Sequence, residues 1–128
     1  MITMFAALAA GCGIKSVKTV SVDDFAEIMT RNDVLLIDVR TSDEYAEGHL
    51  AGAENIDVKA DDFAERIKDI KGTVAVYCRG GRRSLKAAEQ LAKQGCTVYN
   101  LDGGILAWQK AGKPTTTVET NVSSIPAQ

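Results

Sequence analysis

Residues 78–84 read Cys-Arg-Gly-Gly-Arg-Arg-Ser, a segment dense in groups that can do chemistry. None of them is proline, so each offers a backbone N–H. Gly80 and Gly81 let the segment turn tightly with those N–H groups facing inward. A helix starting at its far end adds the unpaired N–H groups and partial positive charge of a first turn. Such a loop is an anion cradle. Cys78 sits at its base. A thiol there is expected to be acidified by the helix terminus and by Arg79, Arg82 and Arg83, and so to be a thiolate near neutral pH. With Lys86, these arginines concentrate positive charge in a chain whose net charge is −2, as an anionic substrate requires. Gly80, Gly81 and Ser84 complete the expected substrate-binding set, and the alternative for Arg83 is to point back and brace the loop.

Other readings of the loop fit less well. An inert buried cysteine favours apolar neighbours, and this one has arginines and glycines. A Walker-type phosphate loop ends in Lys followed by Ser or Thr, which is absent here. A small cysteine phosphatase or arsenate reductase is the closer competitor. The phosphatase signature places five residues between Cys and Arg, whereas four separate Cys78 from Arg83. A loop one residue shorter suits one sulfur atom better than a tetrahedral phosphoryl group.

The elements that must carry this loop follow from the apolar pattern. Val17–Val20, Val34–Ile37, Thr73–Tyr77 and Thr97–Leu101 read as strands, with a weak one at Asn55–Val58. The unbroken run Val34–Ile37 is that of a strand covered on both faces. Between them lie amphipathic segments. Ser21 is expected to cap a helix that turns Val22, Phe25, Ile28 and Met29 to one face. Ser42 is expected to cap Asp43–Glu47. Asp61–Ile70 and Arg83–Gln94 follow, and Ile105–Lys110 is the last. The alternation implies an α/β fold, a mainly parallel five-stranded sheet with helices on both faces. In such sheets sites lie beyond the carboxyl ends of the strands, which here means after Ile37, Tyr77 and Leu101.

Three separated motifs, in order, resemble the rhodanese family of single-domain sulfurtransferases. The loop at 78–84 matches its Cys-Arg-x-Gly-x-Arg-Ser pattern. Asp38-Val39-Arg40, Glu44-Tyr45 and Gly48–Ile56 resemble its first signature. Leu101-Asp102-Gly103-Gly104 with Trp108 resembles its second. The resemblance covers about residues 18–112 and implies a rhodanese-like three-layer domain at 15–113. It implies sulfur transfer from thiosulfate or a related anionic donor to cyanide or a thiol, through a persulfide on Cys78, without metal or cofactor. A persulfide carrier serving a specific protein acceptor is the alternative. The resemblance also implies that Asp38 braces the loop. Arg40 is expected to pair with Glu44 or Asp43.

The remaining candidates have bland readings. His49 is the only histidine and is expected to be structural rather than a base for Cys78. Cys96 opens a strand that Cys78's strand parallels, so the two thiols should lie at opposite sheet edges, too far apart for a disulfide. Trp108 reads as core. Three cysteines without a CxxC spacing and one histidine offer no recognisable zinc site.

At 128 residues, 45% apolar and 25% charged, the chain is one ordinary globular domain, expected to be a monomer. The slight negative charge and 5% aromatics argue against a nucleic-acid binder. Residues 1–14 carry no charge. Their apolar run Met4–Ala10 is far shorter than the roughly 20 residues that span a bilayer. It reads as an export-signal remnant, and Leu8-Ala9-Ala10-Gly11-Cys12 resembles a bacterial lipoprotein cleavage box that would tether Cys12 to a membrane. Cell-envelope or periplasmic placement follows from that reading; cytoplasmic placement is the alternative. Residues 114–128, with no clear period, are expected to be a poorly ordered tail or an edge addition.

Overall fold

The computed structural model describes residues 17–117. The expected export segment, with Cys12, and residues 118–128 lie outside the described part. The element order is β1 (Val17–Val20), α1 (Val22–Ile28), β2 (Val34–Asp38), α2 (Ser42–Glu47), β3 (Glu54–Asn55), α3 (Phe63–Ile67), β4 (Thr73–Tyr77), α4 (Arg82–Lys93), β5 (Thr97–Leu101) and α5 (Gly104–Lys110). The five strands form one parallel sheet in the order β1-β5-β4-β2-β3. The central strand β4 carries the candidate loop on its carboxyl end.

Alternation along the strands feeds two cores. Val74, Val76 and Ile37 face α3 and α4, where Phe63, Ile67, Ala88 and Leu91 close the first core. Ala75, Tyr77 and Leu36 face the other way, onto Phe25, Ile28, Ile105 and Trp108. Because β4 is covered on both sides, its residues from Val74 onward are buried and almost all apolar. Phe25 meets Tyr77 and Trp108 edge-on, each at 6.5 Å between ring centroids. This rigid floor fixes the point at which the chain leaves the sheet for the loop. Trp108 is a core residue, as expected, and its Nε1 donates to the Pro114 carbonyl at 2.8 Å.

Several boundaries differ from the sequence reading. α2 is capped by Thr41, not Ser42. The Thr41 hydroxyl accepts from the Glu44 N–H, and the Glu44 carboxylate accepts from the Thr41 N–H at 3.0 Å. That reciprocal box requires a glutamate three residues after the cap, which only Thr41 has. α3 is shorter than Asp61–Ile70: Phe63 and Ile67 are buried in the core, and Ile70, packed against it as expected, closes a turn onto Ile67 instead of continuing the helix. β3 starts one residue before the expected Asn55–Val58 and is shorter, although Ile56 and Val58 still donate to the Asp38 and Val39 carbonyls. Of the two readings for the chain after 113, its first residues follow the edge addition. Thr116 and His49 exchange two backbone hydrogen bonds of 2.8 Å in an antiparallel bridge. Among the described residues no helix is long and apolar enough to cross a membrane.

Candidate active site

β4 delivers Cys78 to the carboxyl edge of the sheet, and α4 begins four residues later. Gly81 is the residue before α4, at φ +112°, a conformation that any side chain would strain. This turn aims the loop's N–H groups back at the cysteine. The Gly81 N–H donates to Cys78 Sγ at 3.0 Å, and the Ser84 hydroxyl lies 3.3 Å from it. The same hydroxyl lies 3.2 Å from the Gly81 carbonyl, so its proton can turn to the sulfur once that is a thiolate. Cys78 itself is only 1% exposed. Burial pushes its thiol up, but hydrogen bonds from the Ser84 hydroxyl and from the N–H groups of Ser84, Gly81 and Gly80 outweigh it, leaving the thiol below its ordinary value. The donors that reach the sulfur are thus a subset of the loop.

The arginines divide. Arg79 and Arg82 are exposed at the rim, with no ion pair among the described residues. Arg83 is not free to hold a donor. Its Nη1 and Nη2 fork onto Glu44 Oε1 and Oε2 at 2.8 and 3.0 Å. Those bonds foremost hold the Glu44 carboxyl at about 2. Arg83 also feels the charge of Cys78, so it adds to the local field while tying α4 to α2.

Asp38 and Arg40 correct two expectations. Arg40 pairs with Asp38, not with Glu44 or Asp43. Its Nε lies 3.0 Å from Asp38 Oδ1 and its Nη2 2.6 Å from Oδ2, and its backbone N–H donates to Oδ1 at 2.9 Å. A carboxylate two residues upstream can fold onto both groups of Arg40, while Glu44 is already committed to Arg83 and the Thr41 cap. Asp38 makes no hydrogen bond to residues 78–84 among the described residues. The pair works one layer below the loop. Arg40 Nη2 also donates to the Gly48 carbonyl at 2.6 Å, and its guanidinium lies 5.7 Å from the Tyr77 ring centroid. The Tyr77 hydroxyl accepts from the Leu50 N–H at 3.0 Å and is held strongly protonated by burial beside Asp38. The network seats the 48–50 turn against the last residue of β4.

One contributor escaped the sequence reading. The N–H groups of Ile105 and Leu106, at the start of α5, donate to the carbonyls of Cys78 and Arg79 at 2.9 and 3.2 Å. These carbonyls face α5, away from the sulfur, which leaves the next N–H groups pointing at it. The approach is so close that a Cβ on Gly104 would stand 2.3 Å from the Arg79 carbonyl oxygen and 2.6 Å from that of Cys78. Gly103 and Gly104 both have positive φ, and the Gly-Gly pair at the start of α5 was the available signal.

His49 is buried and structural. Its ring stacks on Tyr45 at 3.7 Å and its Nδ1 lies 2.8 Å from the Tyr45 carbonyl. Cys96 is buried, free, and raised by burial, with its Sγ against the Ile70 carbonyl. No group of three His, Cys, Asp or Glu among the described residues could hold a metal ion.

A buried thiol lowered by inward-facing N–H donors, on a parallel α/β sheet, defines a cysteine-centred anion cradle. Comparison with known proteins gives the family. The rhodanese-like domain family matches residues 21–111. The thiosulfate sulfurtransferase GlpE of Coxiella burnetii is 36% identical over 97 residues, covering 74% of this chain and 89% of that protein. A sulfurtransferase of Allochromatium vinosum is 40% identical over 85 residues, covering 64% and 78%. The crystal structure of a rhodanese-related protein from Thermoplasma volcanium superposes with a TM-score of 0.67 at 29% identity, over 77% of this chain and 97% of that one. The chain belongs to the rhodanese-like domain family, and the activity this membership supports is sulfur transfer between a donor and an acceptor.

Proposed function

We propose that the protein moves sulfane sulfur from thiosulfate, or a related anionic donor, to cyanide or a thiol through a persulfide on Cys78. The observation that carries the reading is the sulfur of Cys78, buried at the centre of the loop with donors from Gly81 and Ser84 on it. In the first half-reaction the Cys78 thiolate attacks the outer sulfur of thiosulfate. A new S–S bond forms, the donor's S–S bond breaks, and its electron pair leaves with sulfite. Arg79 and Arg82 attract the dianion at the rim. In the second, the acceptor attacks the outer sulfur and the electron pair returns to Sγ, where the same N–H groups hold it. Both steps exchange good sulfur leaving groups, so no general base is needed. The start of α5 positions the loop, and the Asp38–Arg40 pair holds the 48–50 turn beside β4.

Steady-state kinetics with thiosulfate and cyanide test this. Parallel double-reciprocal lines, as a two-step exchange gives, and loss of turnover in Cys78→Ser are expected. Intersecting lines, or Cys78→Ser within tenfold of the parent, would overturn it. Export with a lipid on Cys12 is proposed from residues 1–14 alone. Fractionation of the full-length bacterial product with N-terminal mass analysis tests it, and an unmodified Cys12 behind an intact Met1 would refute it.

A further inference from the structure

The end of α2 and the start of α5 border a cleft of about 260 Å³ beside the loop. Two charged side chains on it are committed elsewhere, Arg40 to Asp38 and Gly48, Glu44 to Arg83. Three polar side chains on it are not. Arg79, Glu47 and Gln109 make no side-chain hydrogen bond or ion pair among the described residues. Leu106, 44% exposed, supplies an apolar wall. It is one of only two large hydrophobic side chains exposed among the described residues.

This lining suits neither substrate of the basic assay. Thiosulfate and cyanide are bare anions, and a cleft built for them alone would carry cations only. Glu47 repels both. One uncommitted cation, one uncommitted carboxylate and an amide around an apolar wall complement a molecule that carries both charges on a short stem. Arg79 belongs both to this cleft and to the loop that holds Cys78, which places the cleft beside that loop.

We propose that the cleft is an acceptor subsite for a small thiol bearing free α-amino and α-carboxylate groups. This rests on the Cys78 persulfide reading. Arg79 takes the carboxylate, Glu47 the ammonium, and Gln109 bonds to either. The acceptor's thiolate, its proton given to solvent, attacks the outer sulfur on Cys78. An S–S bond forms between acceptor and outer sulfur, the Sγ–S bond breaks, and its electron pair remains on Sγ. The product is the acceptor's persulfide, and no oxidant or reductant is consumed. Arg79 serves donor and acceptor in turn, as two half-reactions at one mouth allow.

The test loads the protein with thiosulfate, confirms sulfur on Cys78 by mass, and mixes it rapidly with four thiols. Cysteine carries both groups, cysteamine lacks the carboxylate, 3-mercaptopropionate lacks the amine, and 2-mercaptoethanol lacks both. Rates are compared at equal thiolate concentration, corrected for thiol basicity. Cysteine is expected to discharge the persulfide about tenfold faster than 2-mercaptoethanol and about threefold faster than the two thiols that keep one charge, as two exposed charge contacts allow. Glu47→Gln should bring cysteine level with 3-mercaptopropionate, while Glu89→Gln, on α4, leaves the preference intact. Equal discharge by all four thiols, or an unchanged preference in Glu47→Gln, would overturn the subsite alone. Failure to load Cys78 at all would overturn the persulfide reading, and the subsite with it.

Discussion

Gly104→Ala should separate the positioning of the loop from the chemistry of its residues. The added Cβ would stand 2.3 Å from the Arg79 carbonyl oxygen, 2.5 Å from its carbon and 2.6 Å from the Cys78 carbonyl oxygen. These are backbone atoms, so no side chain can swing aside. A tolerable contact needs the loop and α5 to part by about 1 Å. That strains or breaks the bonds from Ile105 and Leu106 to those carbonyls, at about 1 kcal/mol each. A non-glycine residue at φ +62° adds about 1–2 kcal/mol, and overpacking about 1–3. The expected loss of stability is about 4–7 kcal/mol. The Gly81 N–H, now 3.0 Å from Sγ, would shift with the loop. A misplacement of that size lowers sulfurtransfer by about 100-fold. Gly72→Ala is the control, since Gly72 has φ +86° but open space around its Cβ position, so it carries the backbone cost alone. Denaturant unfolding and sulfurtransfer assays on both variants read the difference. If Gly104→Ala loses no more stability than Gly72→Ala and stays within threefold of parental activity, α5 does not shape the cradle as described.

Three further outcomes follow from the geometry. Ser84→Ala removes a donor from the thiolate, so the Cys78 thiol should rise and the acid limb of the pH profile for thiosulfate should move to higher pH; an unmoved limb would show that Ser84 does not bear on the sulfur's charge. Glu44 is held at about 2 against an ordinary 4.5, so its pairing with Arg83 adds stability above pH 4.5 that is lost as pH falls toward 2; unfolding titrations should find the parent's advantage over Glu44→Gln shrinking across that window, and a constant advantage would refute the linkage. Arg82→Ala should chiefly raise the KM for thiosulfate, and less so at high salt, because an exposed charge attracts donor and transition state alike; a fall in kcat at unchanged KM would contradict this.

What the sequence disclosed was local or periodic. Alternation and apolar runs marked β2, β4 and β5 because a doubly covered strand admits little but apolar side chains. Residues 78–84 marked the site because glycines, arginines and a cysteine in that order can build a cradle without outside help. Pairings across elements were not legible. Glu44 lies 39 residues from Arg83, and nothing local ranks it above Asp43 as a partner or ties it to Arg83 rather than Arg40. The hold of α5 on the Cys78 and Arg79 carbonyls depends on β5 lying beside β4, which the strand order decides. Residues 114–117 looked unstructured because Thr116 is fixed by His49, far upstream, and not by any pattern of its own.

The central claim is that Cys78 carries the sulfur. The most direct measurement is the intact mass of the protein after incubation with thiosulfate and removal of excess reagent, followed by peptide mapping. A gain of about 32 Da, one sulfur atom, on the peptide containing Cys78 is expected, reversed by cyanide and absent in Cys78→Ser. An unchanged mass, or added sulfur on Cys96 with Cys78 unmodified, would contradict the account.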